Sequence, residues 1–306
     1  MTTSTGIPQN PASSAATAKP IDRAGGIDRR RWSSLGRRAY AREYLDPLKP
    51  VIVLGAIDHW PALGKWTPAF FRERYGSLEV TVDGKAWKLG PLIDRILAST
   101  PENPAPYLRN QLIASWPGEL SSDISPMPEC TRPNYLESRL FPSREPLTYV
   151  EAYIGGAGAA FPCLHYDNLH THAFLMQLYG AKEYLVFPPD QSRFLYPLAG
   201  IEANKSAIPD IENVDLNRFP LFARAEGVRF ELHPGETLFV PASWWHTARI
   251  LSASITVSIN GVNAANFSEF RRDFCPIVAR RSGLKAALIA PYLSVLGVFL
   301  SCFGGD

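Results

Sequence analysis

The sequence predicts a mainly β domain, a barrel or sandwich, with α/β elements before it and helices after it. From Leu147 onward, short apolar runs follow one another: Leu147–Gly155, Phe174–Leu178, Glu183–Phe187, Val228–Leu232, Thr237–Val240 and Ala253–Ile259. Gly, Pro and Asp separate them, and regularly spaced short strands with turn signals are the mark of an all-β architecture. From near Phe267 the sequence returns to a helical pattern. The chain has 306 residues, 46% apolar and 20% charged, enough for one large domain or two small ones with a buried core.

Taken in order, residues 1–31 read as a disordered leader rich in Pro, Ser, Thr and Gly, with order beginning near Trp32. The domain is expected over 32–275 and a C-terminal apolar helical segment over 276–306. The stretch from Lys49 to Gly55 is a β-branched apolar run bounded by Pro50 and Gly55, a buried strand. Thr67 and Pro68 are an N-cap and a first helical residue, and Phe70, Phe71 and Tyr75 then recur at helical spacing. Residues 99–146 are Pro-rich and polar, and read as long loops of the kind that cover sites. No internal repeat is found.

Net charge is +2, too mild to argue for a nucleic-acid partner, and Arg29–Arg31 with Arg37 and Arg38 read as a solvated charge run. Cys130, Cys163, Cys275 and Cys302 lie far apart and form no C-x-x-C pair, so neither a disulfide framework nor a zinc ribbon is expected. Without a secretory signal the expected location is cytoplasmic. Residues 286–303 carry no charge and approach the length of a membrane span, but Pro291 and Gly297 interrupt them. Packing or a homodimer through the C-terminal helices is preferred to a membrane tail.

Chemistry is concentrated at His165-Tyr166-Asp167. In an extended chain, residues i and i+2 project to one side, so an imidazole and a carboxylate share one space. A nitrogen donor on a facing strand completes the two-His, one-carboxylate set that holds non-haem Fe(II) with positions left open. His246, after the run Leu238–Trp245, is the candidate. The following strand alternates, with Ser252, Ser254, Thr256, Ser258 and Asn260 on one face and Ala253, Ile255, Val257 and Ile259 on the other. Its polar face looks either into a ligand-filled interior or into solvent.

These residues carry a resemblance. Tyr153 to Pro189, with Leu232 to Gly261, is similar to the JmjC and cupin-like 2-oxoglutarate oxygenases. Lys182, followed by Glu-Tyr-Leu-Val-Phe-Pro-Pro-Asp190, stands where that family has its lysine and a strand ending in Phe-Pro. Pro50–Gly55, His59-Trp-Pro-Ala62 and Lys65-Trp-Thr67 resemble the family's N-terminal pattern, so the likeness spans about residues 40–275. It implies a double-stranded β-helix, the cupin or jelly-roll barrel. It also implies Fe(II) on His165, Asp167 and His246, with 2-oxoglutarate and O2 as cosubstrates. Lys182 would pair with the distal carboxylate of 2-oxoglutarate, and Asn260 would help to line the pocket.

Two positions depart from the family. Pro162 replaces a hydroxyl residue and Leu175 an amide residue that contact 2-oxoglutarate, with Tyr153, Tyr149, Gln177 and Thr171 as candidate replacements. His170 and His172 are expected behind the metal or toward substrate, His59 beside Trp60, and His233 in a turn. Arg249 meets either an acidic substrate group or a structural carboxylate. The implied activity is hydroxylation of a protein side chain or small molecule, with a modified RNA base also open. The alternatives are a non-catalytic metal-binding cupin module and a metal-dependent hydrolase or isomerase on the same barrel.

Overall fold

Each apolar run from Leu147 onward forms a strand in the computed structural model, which describes residues 17–22, 26–141 and 149–303. The strands that build the two main sheets are β1 (Ile21–Asp22), β2 (Asp28–Arg31), β3 (Val51–Leu54), β4 (Leu108–Leu112), β5 (Val150–Gly155) and β6 (His172–Tyr179). They continue as β7 (Lys182–Phe187), β8 (Glu226–Leu232), β9 (Glu236–Val240), β10 (Trp245–Ile250) and β11 (Ser254–Gly261). A seven-stranded sheet has the order β2-β3-β9-β6-β11-β5-β4, and a four-stranded sheet the order β10-β7-β8-β1. All neighbours are antiparallel except β2 with β3 and β1 with β8.

The period-2 alternation of strands decides what each face meets. On β11, Ile255, Val257 and Ile259 look outward into a core shared with Ala152, Ile154 and Met176. That core is closed by the helices α1 (Pro68–Tyr75) and α2 (Leu89–Leu97), through Phe71, Leu92, Ile93 and Ile96. Thr67 accepts from the backbone N–H of Phe70 at 3.1 Å and caps α1 as the sequence predicts. The opposite faces of the two sheets meet each other, with Ile52, Leu238 and Val240 of the larger packed against Tyr184, Val186, Phe230 and Leu232 of the smaller.

Three expectations are corrected. Ordered backbone begins before Trp32: β2 runs parallel to β3 and extends the large sheet, because Asp28 is held by Tyr44 and Lys49. Residues 1–16 of the expected leader lie outside the described residues, as do the first residues of the Leu147–Gly155 run. Residues 99–141 are not all loop, since β4 joins the large sheet beside β5 and a helix runs from Gly118 to Asp123. The rest of the loop region, 142–148, lies outside the described residues. The third correction is β10, a strand that the reading of 238–246 as a run with bulky packing residues does not include.

The C-terminal helices α3 (Phe267–Arg281) and α4 (Gly283–Phe303) form as the sequence predicts. Leu293, Leu296 and Leu300 of α4 pack on Phe267 and Phe270 of α3 and on Tyr135 and Leu136. No helix among the described residues is long and apolar enough to cross a membrane.

Candidate metal centre and cosubstrate cavity

His165 and His246 face each other because their backbones pair: each N–H donates to the other's carbonyl, at 3.1 and 2.6 Å. The His165 Nε2 lies 3.8 Å and the His246 Nε2 3.9 Å from Asp167 Oδ1. One ligand atom from each of the three residues falls within 4.8 Å of the others, the spacing of a single ion's ligands.

Each ring is held in the ligating tautomer. The Nδ1–H of His165 donates to the Cys163 carbonyl at 3.2 Å, and that of His246 to the Trp244 carbonyl at 3.0 Å, which leaves both Nε2 lone pairs for a metal. Burial, then the neighbouring His246, lowers the His165 pKa to about 3, so the neutral ligating form prevails. Burial raises Asp167, while His246 and the amide of Asn260 pull it down. Asn260 Nδ2 donates to Asp167 Oδ2 at 3.1 Å and to Thr171 Oγ1 at 3.0 Å, fixing the carboxylate's orientation. The residues therefore fit a divalent cation: two imidazoles and a carboxylate, oriented by partners behind them.

The triad opens into a cavity of about 470 Å³ between the two sheets. Lys182, 2% exposed, lines it. Its Nζ donates to the Tyr107 hydroxyl at 2.9 Å and lies 5.3 and 5.6 Å from the Tyr107 and Tyr153 ring centres. Burial lowers its pKa to about 7. Among the described residues no carboxylate lies within ion-pair distance of it. A buried ammonium that faces a cavity without an anionic partner fits a ligand carboxylate.

The alternation of β11 is thus resolved: Ser258 and Asn260 look into the cavity. Tyr149, Tyr153, Thr171 and Leu175 line it too, whereas Pro162 lines a smaller pocket on the outer side of the four-stranded sheet. Gln177 is a correction, because it does not reach the cavity. Its amide is consumed at the far end of β6, accepting from Thr256 Oγ1 at 2.7 Å and donating to Ser254 Oγ and to the Tyr179 and Gly180 carbonyls. Tyr107 and Asn110 of the cavity wall were not legible in the sequence, since they come from the Pro-rich stretch before and within β4.

His170 and His172 are not ligands. His170 bonds Ser243 Oγ at 2.7 Å and Arg272 at 3.0 Å, tying the loop after Asp167 to α3. Arg249 is paired with Glu183 at 2.8 Å, outside the metal cavity.

His172 is fully buried and accepts the Ala242 N–H on Nδ1 at 3.0 Å, so its Nε2–H donates to the side-chain Oδ1 of Asn263 at 3.3 Å. The bond from Ala242 anchors the turn that leads to His246. Burial lowers its pKa to about 4. A depressed folded pKa means stability that is complete above the ordinary value of about 6.5 and lost as pH falls toward 4, by about 3 kcal/mol over that window. Denaturant unfolding of the metal-free protein should show this loss between pH 6.5 and 4. A His172→Gln variant should be less stable at pH 8 and lose about 3 kcal/mol less on acidification. Equal acid slopes for the two proteins would refute the assignment.

Two histidines and a carboxylate thus converge on one candidate cation site, with a buried lysine in the same cavity. The chain belongs to the cupin-like domain family, whose model matches residues 37–261. It is 32% identical to lysine-specific demethylase 8 of Xenopus tropicalis over 226 residues, 70% of this chain and 48% of that protein. It is 30% identical to lysine-specific demethylase JMJ30 of Arabidopsis thaliana over 250 residues, 77% of this chain and 55% of that protein. A 110-residue stretch is 38% identical to human HSPB1-associated protein 1, covering 35% of this chain and 22% of that protein. The chain spans about half the length of the first two relatives.

Proposed function

We propose that this protein is an Fe(II)- and 2-oxoglutarate-dependent hydroxylase that acts on a protein side chain, its two sheets forming the double-stranded β-helix of that family. The observation that carries this reading is one cavity holding both the His165, Asp167 and His246 cluster and the buried, unpaired ammonium of Lys182. Bound together, the metal and cosubstrate supply oxidative activation of O2, with release of succinate and CO2 and insertion of one oxygen atom into a substrate C–H bond.

The chain's own residues do the rest. His165, Asp167 and His246 hold the metal. Lys182 and the Tyr107 hydroxyl receive the distal carboxylate, and this hydroxyl offsets the loss of one at Pro162. Leu175, Ala173 and Tyr184 line the cavity and keep water from the reacting centre. Leu136 lines it as well, and so does Phe270, which brings the C-terminal helix α3 to the substrate space. The relatives named as lysine-specific demethylases point to a protein substrate, and the same insertion at an N-methyl carbon gives demethylation.

The test is an anaerobic titration of the Fe(II)-loaded protein with 2-oxoglutarate, followed in the visible. A saturable charge-transfer band, then O2-dependent formation of succinate, is expected. Protein that retains Fe(II) and shows no band would instead be a metal-binding module without oxygenase activity.

A further inference from the structure

β5 places Glu151 and Tyr153 on the cavity wall, and Tyr149, the residue before the strand, lines it too and is 40% exposed. Glu151 is a carboxylate that neither the metal set nor the cosubstrate contact uses. Its Oε2 accepts from the Tyr153 hydroxyl at 2.8 Å and from Asn110 Nδ2 at 3.1 Å. Asn110 reaches it from a register shift in β4 between Leu108 and Gln111, with a φ of 54° that non-glycine residues seldom adopt. The bulge turns the Asn110 side chain toward the cavity, where it orients the Glu151 carboxylate. Oε1 of Glu151 takes no hydrogen bond among the described residues.

The charges of the loaded cavity give the carboxylate its meaning. The two positive charges of Fe(II) and the Lys182 ammonium are matched by Asp167 and the two carboxylates of the cosubstrate. Lys205, also on the wall, is paired with Glu202 at 2.6 Å. Glu151, on the wall of the same cavity, is then a carboxylate left over for a cationic substrate group.

We propose that Glu151 selects the substrate: it pairs with a basic side chain, Lys or Arg, of a peptide or protein, with Tyr149 at the mouth stacking on the cation's stem. This rests on the oxygenase reading above and goes beyond it by naming a charge and the residue that reads it. The probes are capped nonapeptide pools with randomised flanks and a fixed central Lys, Arg, Glu, Gln, citrulline or norleucine. They are offered to the Fe(II)- and 2-oxoglutarate-loaded enzyme, with mass gain on the peptide and peptide-stimulated succinate as readouts.

Wild-type enzyme should prefer a basic centre on the order of a hundredfold over its neutral counterpart. Glu151→Gln, which keeps the oxygen that accepts from Tyr153, should erase that preference. Glu151→Lys should favour peptides with a central Glu. The visible titration with 2-oxoglutarate runs alongside on each protein. A band in the wild type with no preference for basic peptides overturns the proposal and leaves the oxygenase standing. The same holds for Glu151→Gln retaining the preference. Absence of the band in the wild type is failure of the oxygenase reading itself.

Discussion

His246→Ala is expected to abolish metal binding and every activity that depends on it. The substitution deletes one of three ligand atoms and leaves the antiparallel backbone bridge between residues 165 and 246, so the fold persists. Two ligands then remain, and Asp167 loses half of the imidazole pair that converges on it. Metal affinity should fall beyond the ~10- to 100-fold loss that follows removal of a partner behind a ligand. Asn260→Ala supplies that milder case, because its amide orients Asp167. Equilibrium dialysis with Mn(II), followed by its paramagnetic signal, gives both affinities. A ligand at 100 times its Kd stabilises a protein by about 2.7 kcal/mol, so metal should raise the melting temperature of the wild type and leave that of His246→Ala unchanged. Wild-type affinity in His246→Ala would place any bound metal elsewhere.

How much of this site was legible follows from what side-chain alternation encodes. It assigns a face, and so the polar face of β11 and the pair His165 and Asp167 could be read directly from the sequence. It does not assign depth. Gln177 lies on the same face of β6 as Ala173 and Leu175, but beyond the end of the cavity, where Thr256 and Ser254 consume its amide. β10 was hidden because Trp244 and Trp245 read as packing residues, and Trp245 is indeed buried in a core of its own. Tyr107 and Asn110 were hidden for a different reason. β4 is a short edge strand with a bulge and a polar sequence, so it shows neither apolar period nor turn signature. Its membership in the sheet is decided by pairing with β5, a contact between segments about forty residues apart that no local pattern records.

Lys182→Met is expected to stabilise the metal-free protein while removing cosubstrate binding. The ammonium faces the phenols of Tyr107 and Tyr153, with no carboxylate in ion-pair distance among the described residues, and burial raises both phenols above the ordinary tyrosine value, so neither offers a negative charge. With its pKa lowered to about 7, Lys182 costs nothing above the unfolded value near 10.4. The cost grows as pH falls toward 7 and is constant below it, reaching about 5 kcal/mol. Methionine has the length and not the charge, so the variant should unfold at higher denaturant at pH 7, with the advantage shrinking toward pH 10. For 2-oxoglutarate the sign reverses. The carboxylate needs the ammonium, so wild-type binding takes up a proton above pH 7 and weakens by about tenfold for each further pH unit. Titration calorimetry in buffers of different ionisation enthalpy counts that proton, near one at pH 8.5 and near zero at pH 6. In Lys182→Met, affinity should fall at least ~30-fold, the cost of removing one partner of a buried charge pair, and the pH dependence should vanish with it. Tight, pH-dependent binding by the methionine variant would show that another group receives the distal carboxylate.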